Sequence, residues 1–124
     1  MISKSPLQKQ KSYRFGIWAE RFVIFYLLLR GYKIIKHRYQ GNFGEIDIIA
    51  KRLNVVAFIE VKARNSKDID HQILSVNQQK RIKKSALFFI NSHPRLQNIN
   101  YRYDLATVNK NFKINYYKGF FDWY

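Results

Sequence analysis

Two strand-forming stretches, residues 44–51 and 55–62, are separated only by Arg52, Leu53 and Asn54, and this spacing constrains the fold more than any other part of the chain. So short a connection joins neighbouring antiparallel strands, because a parallel pair needs a crossover of a dozen residues or more. The first is rich in Ile and the second in Val, with Phe and Ile, yet Glu45, Asp47, Glu60 and Lys62 lie inside them. Charge among core-forming residues is costly unless it is paired, hydrogen-bonded or bound to a metal, so these four residues mark a candidate site.

Side chains alternate along a strand, which groups Glu45 and Asp47 with Ile49 on one face and Ile46, Ile48 and Ala50 on the other. In the next strand Val56, Phe58, Glu60 and Lys62 share a face. A turn at residues 52 and 53 would set Glu45 opposite Glu60, whereas a turn at 53 and 54 would set Asp47 opposite Glu60. In either register the carboxylates crowd one patch, with directly opposed residues about 5 Å apart. A divalent cation, Mg²⁺ or Mn²⁺, relieves that crowding, since Mg²⁺ is typically held by one or two carboxylates while it keeps waters and binds a phosphate. Lys62, two residues past Glu60, could orient or help deprotonate an attacking water, or stabilise charge building on the phosphate. A cross-strand ion-pair network is the plainer explanation, but it leaves an excess of negative groups.

Along the rest of the chain, residues 1–11 carry little that packs and read as a flexible basic arm, leaving 12–124 as one domain. From Ser12, apolar residues spaced by three or four predict a helix, apolar nearly all round, that ends at Gly31. Residues 32–39 read as a strand before a turn at Gln40, Gly41 and Asn42. A polar loop over 64–71, a helix over 76–91, and strands over 101–108 and 113–117 follow, with the aromatic tail 120–124 covering a flank of the core. The order αβββαββ predicts an α/β fold, a mixed central sheet flanked by helices. In the first helix Glu20 has no cation three or four residues away, and Gly16, unfavourable in a helix interior, suggests close approach to a strand or a ligand.

The 23 Lys and Arg against 8 Asp and Glu give a formal charge of +15, which predicts a polyanionic partner, nucleic acid before any other. Lys80, Arg81, Lys83 and Lys84 on the second helix, with Arg64 and Lys67 in the loop before it, are candidates for holding phosphates beside the acidic site. The longest strongly apolar run, residues 22–29, is far short of the ~20 residues that span a bilayer, so no membrane association and a cytoplasmic location are expected. No cysteine occurs, and His37, His71 and His93 lack zinc-ligand spacing. The 9 Tyr and 10 Phe sit mostly at core-facing positions, which favours packing over base stacking.

Taken together, Gly16-x-x-Ala19-Glu20, Gly31-Tyr32, Gly44-Glu45-Ile46-Asp47, Phe58-Ile59-Glu60-Val61-Lys62-x-Arg64, Lys80 and Arg102-Tyr103-Asp104 resemble the YraN-like family. That family is similar to archaeal Holliday-junction resolvases and to the wider PD-(D/E)xK, restriction-endonuclease-like nucleases. The resemblance implies that Asp47 and Glu60 bind the metal, that Lys62 is the catalytic lysine, that Glu20 is an additional metal-binding and catalytic acid, and that Glu45 supports them. It implies a Mg²⁺-dependent endonuclease acting on DNA, branched DNA in particular, and a homodimer if paired cuts are made. Two other classes compete: a nucleic-acid-binding module on the same fold without catalysis, and a basic adaptor for an anionic membrane or an acidic protein, which leaves the acids inside strands unexplained. Ala63, where a hydroxyl residue is common, and Asn77-Gln78 before Lys80 depart from the family pattern.

Overall fold

A computed structural model describes residues 6–64 and 73–121, with the side chains of 8–13 left aside. Helix α1 (Pro6–Leu29) is followed by strands β1 (Lys33–Gly41), β2 (Gly44–Arg52) and β3 (Val55–Ala63), helix α2 (Val76–Asn91), a single 3-10 turn (Pro94–Leu96), and strands β4 (Asn100–Val108) and β5 (Ile114–Phe121). The five strands form one sheet in chain order, with β3 and β4 parallel and the other neighbours antiparallel. The expected α/β order αβββαββ holds, and the parallel step is the one bridged by α2, as a crossover requires.

Several boundaries differ from the sequence reading. Helix α1 reaches back to Pro6, into the stretch expected as an arm. Proline fits the first turn of a helix, and Gln8, Lys9, Gln10 and Lys11 are good helix formers, so propensity carries the helix past the point where apolar periodicity fades. Its C-terminus is closed as expected: Gly31 takes φ +85, Tyr32 N–H reaches the Leu27 carbonyl at 3.0 Å and Gly31 N–H the Leu28 carbonyl at 3.1 Å. Strand β5 runs on to Phe121, whose ring stacks on Tyr103 with centroids 4.5 Å apart, so the first two residues of the expected tail, Phe120 and Phe121, belong to a strand. Residues 122–124 lie outside the described residues, as does 65–72, most of the expected loop.

Each helix covers one face of the sheet. Ala19, Val23 and Leu27 of α1 pack on Ile48, Ala50, Ala57 and Ile59. Ile82, Ala86 and Phe89 of α2 pack on Ile49, Val56, Phe58 and Tyr103. Helix α2 opens with a capping box between Ser75 and Gln78. Ile46 belongs to the α2 side, which corrects the grouping of Ile46 with Ile48 and Ala50. Strict alternation fails between Ile46 and Ile48, where the β2–β3 ladder also ends, its last pair being Ile48 with Ile59. Beyond that pair β2 stays with β1 and β3 stays with β4, so the two strands part.

Candidate active site

Asp47 stands at this fork. The register, with Arg52 opposite Val55, selects the turn at Leu53 and Asn54, and its continuation past Ile48 sets Asp47 opposite Glu60. Asp47 Oδ2 accepts the Val61 N–H at 2.8 Å, which ties β3 to β2 where ladder pairing has stopped. The hydrogen bond explains the failed alternation: the carboxylate turns toward β3 and the α1 side, away from the face of Ile49.

Asp47 and Glu60 share a hydrogen bond, and Glu60 is pushed up to about 9, first by burial and then by the charge of Asp47, with Lys62 opposing. At neutral pH without a cation, Glu60 therefore keeps its proton, facing Asp47. Glu45 is raised as well, by burial first and then by Asp47, while Arg38 and His37 act the other way. Two grooves meet at this edge. One, of about 330 Å³, is lined by Gly16, Ile17, Glu20, Arg38, Glu45, Asp47, Glu60 and Val61. The other, of about 200 Å³, lies on the α2 side between Gly44, Glu45, Glu60, Gln78, Arg81 and Ile82.

Glu20 reaches the first groove from α1 and is only 8% exposed. Its missing partner is Arg38, whose Nη2 and Nε donate to Glu20 Oε2 at 2.8 and 3.1 Å, with His37 Nε2 at 3.8 Å from the same oxygen. Arg38 adopts φ +56, a conformation uncommon outside glycine, and its guanidinium engages Glu20. Glu20 is thus gathered with Asp47 and Glu60 in one groove but is held by an arginine. The sequence reading missed Arg38, although the run Lys36-His37-Arg38 was a visible source of cations for an unpaired acid. Gly16 lines the groove with nothing within 4 Å of where a Cβ would stand, so the expected close approach of a strand is absent there and packing does not require glycine.

Of the 8 acidic residues in the chain, Asp68, Asp70 and Asp122 lie outside the described residues. Four of the remaining five line the two grooves. The fifth, Asp104, is fully buried and accepts from Arg102 Nε and Nη2 at 2.8 Å, Tyr116 O–H at 2.6 Å and Gly119 N–H at 2.9 Å, while Arg102 also donates to the Tyr32 hydroxyl at 2.8 Å. Burial and then the charge of Asp104 push the Tyr116 hydroxyl well up, and the hydrogen bonds that Arg102 donates to Asp104 raise Arg102. Asp104 is a saturated tie between β4 and β5, a second buried acid with a structural task.

The basic residues are less concentrated than expected. Arg81 lines the α2-side groove beside Glu60. Lys80 is exposed, Lys84 sits over the Phe43 ring at 5.8 Å, and Lys83 turns toward Phe121 at 5.9 Å from its centroid. Arg64 bonds the Ala63 carbonyl at 3.0 Å at the end of β3, and Lys67 lies outside the described residues. Lys62 follows Glu60 on β3, opposite Thr107 of β4.

The donor set can be tested against a divalent cation. Among the described residues no cluster of three or more His, Asp or Glu stands ready to hold a metal, and Glu20 is engaged by Arg38. Asp47 and Glu60 in contact nevertheless offer two adjacent oxygen donors, and a proton held at a carboxyl is what a cation displaces, so the pair fits a hard divalent cation.

Residues 19–108 match the family described as Uncharacterised protein family UPF0102. A UPF0102 protein of Chelativorans sp. (strain BNC1) is 37% identical over 108 residues, covering 87% of each chain. One from Bradyrhizobium diazoefficiens is 39% identical over 101 residues, covering 82% of this chain and 76% of its own. Among solved structures, Hjc of Archaeoglobus fulgidus, a Holliday junction resolvase from an archaeal hyperthermophile, superposes with a TM-score of 0.56 at 19% identity, covering 83% of this chain and 76% of that one. At that identity the likeness is one of fold, and it agrees with the resolvase-like architecture expected from the motifs.

Proposed function

The chain belongs to the uncharacterised protein family UPF0102, and from that premise we propose that it is a divalent-metal-dependent endonuclease that hydrolyses phosphodiester bonds in DNA. The observation that carries this reading is the Asp47–Glu60 pair: two carboxyls in hydrogen-bond contact, one of them raised to about 9, at a strand fork in a chain of net charge +15. The fold shared with a Holliday junction resolvase supports it.

In this reading Asp47 and Glu60 hold the cation, and the Val61 N–H fixes the orientation of Asp47. Bound there, Mg²⁺ or Mn²⁺ would make a bound water more acidic and offset charge on the phosphate. Lys62, on the same strand as Glu60, holds or receives a proton at Nζ beside the attacking water, or faces the charge that develops on the phosphate. Arg81 receives a non-bridging phosphate oxygen from the α2 side. Glu20 joins the metal ligands when Arg38 turns to a phosphate, and until then it orients Arg38. Exposed Lys80 and Lys84 follow the backbone further out. Branched DNA is the proposed substrate, with a homodimer where two cuts are paired.

The test is incubation of labelled single-stranded, duplex, flap and four-way DNA with Mg²⁺ or Mn²⁺, comparing the native chain with Asp47→Ala and Lys62→Ala. Both variants are expected to lose cleavage by at least ~100-fold while DNA affinity changes only a few-fold. Binding without cleavage under every metal condition would favour a non-catalytic module instead.

A further inference from the structure

The tip of the β1–β2 hairpin carries a residue that neither the core nor the metal chemistry uses. Asn42 and Phe43 form the turn between the paired Gly41 and Gly44. Such positions ordinarily hold Gly, Asn, Asp or Ser, which suit the backbone and water. Phe43 is 45% exposed and belongs to none of the three core clusters.

The tip is nevertheless held in place. Ser85 of α2, fully buried, donates from Oγ to the Gly44 carbonyl at 3.1 Å. Gly44 has φ +146, a conformation suited to glycine, and a Cβ there would stand 3.6 Å from Arg81 Cβ, in ordinary van der Waals contact, so hairpin and helix touch at this point. The ammonium of Lys84 lies 5.8 Å from the Phe43 ring centroid. An exposed aromatic ring is thus presented by a pinned turn, with a cation beside it and the groove of Gly44, Glu45, Glu60 and Arg81 starting at the next residue.

A ligand that suits all three features is flat and aromatic, and carries phosphates on both sides. A nucleobase whose face is uncovered meets that description, whereas bases inside an intact duplex are covered by their neighbours. We infer that Phe43 is a stacking site for an unpaired or splayed base, and that it selects DNA with a discontinuity for the carboxylate site. The inference rests on the nucleic-acid reading above and deepens it by naming what the substrate must expose.

The placement also sets a distance. Four residue steps along β2 take the chain from Phe43 to Asp47, about 13 Å at ~3.3 Å per residue. Stacked nucleotides rise ~3.4 Å each along a strand, so the phosphate at Asp47 lies within about four nucleotides of the base on Phe43.

The test is equilibrium binding without divalent cations, so that cleavage plays no part. The probes are a four-way junction with 2-aminopurine at the branch point and a fully paired duplex of equal length. Phe43→Ala is expected to weaken junction binding about tenfold, the loss of one base–aromatic stack, and to remove the 2-aminopurine fluorescence change, with duplex affinity unchanged within about twofold. Phe43→Trp should keep both signals. Equal losses on junction and duplex, or no loss on the junction, would overturn the stacking site and leave the nuclease reading standing. Failure of the native chain to bind either DNA would overturn both.

Discussion

Replacing Glu60 by Gln should stabilise the metal-free protein at neutral pH, the reverse of what loss of a buried charged residue usually does. Glu60 is pushed up to about 9 in the fold, from 4.5 in its absence, by burial and by the neighbouring Asp47 charge. A carboxyl raised in the folded state binds more protons there than in the unfolded chain, so it lowers stability as pH rises through 4.5 and stops doing so near 9. Each pH unit above 4.5 costs ~1.4 kcal/mol, which makes the penalty about 3 kcal/mol at pH 7. That figure depends on the unfolded value and the pH alone, provided the folded value stays above 7, and sharing of the proton with Asp47 makes it a ceiling. Gln keeps the shape and can donate to Asp47 as the protonated carboxyl does, so the variant should melt up to about 10 °C higher at pH 7 and match the native chain near pH 4. The assay is thermal and urea unfolding by circular dichroism in chelator from pH 4 to 8, read as the difference between the two proteins so that other titrations cancel. Adding Mg²⁺ or Mn²⁺ should raise the melting temperature of the native chain and not of the variant. Parallel pH profiles, or a less stable variant at pH 7, would refute the shared-proton geometry.

Asp104→Asn should destabilise the fold by about 3 kcal/mol, because Arg102 loses the partner of a buried pair; urea unfolding would show this as a lower midpoint. Arg38→Ala leaves the nearly buried Glu20 without its guanidinium and should cost about 2 kcal/mol near neutral pH, whereas Arg38→Ala combined with Glu20→Gln should recover most of that loss in the same unfolding assay. Lys80→Ala should reduce the slope of log affinity against log salt by about 0.9 if Lys80 neutralises one phosphate, measured by DNA binding over a range of KCl. An unchanged slope would remove Lys80 from the interface.

The hairpin of β2 and β3 and the gathering of Asp47 with Glu60 were legible because a three-residue gap and a period of two leave few arrangements. Two acids set inside strands, Glu60 and Asp104, proved to be opposites. Glu60 faces another carboxyl and is raised to about 9, while Asp104 receives four hydrogen bonds from Arg102, Tyr116 and Gly119. Arg102, two residues before Asp104 on the same strand, was a visible partner, but Tyr116 and Gly119 of β5, and the Asp47 carboxyl that faces Glu60, come from other strands.

The sequence by itself determined the α/β order, the family, and the acids placed where strands should be apolar, since each of these depends on local pattern or short spacing. Only the tertiary structure decided which of two registers the hairpin takes, that the β2–β3 ladder ends at Asp47, that Arg38 holds Glu20, and that Phe43 stands exposed beside the groove. The reason is physical. Local propensity fixes which residues share an element, but a carboxylate's partner is chosen by how α1, β1 and the diverging strands pack together, and neighbouring residues in sequence carry little of that information.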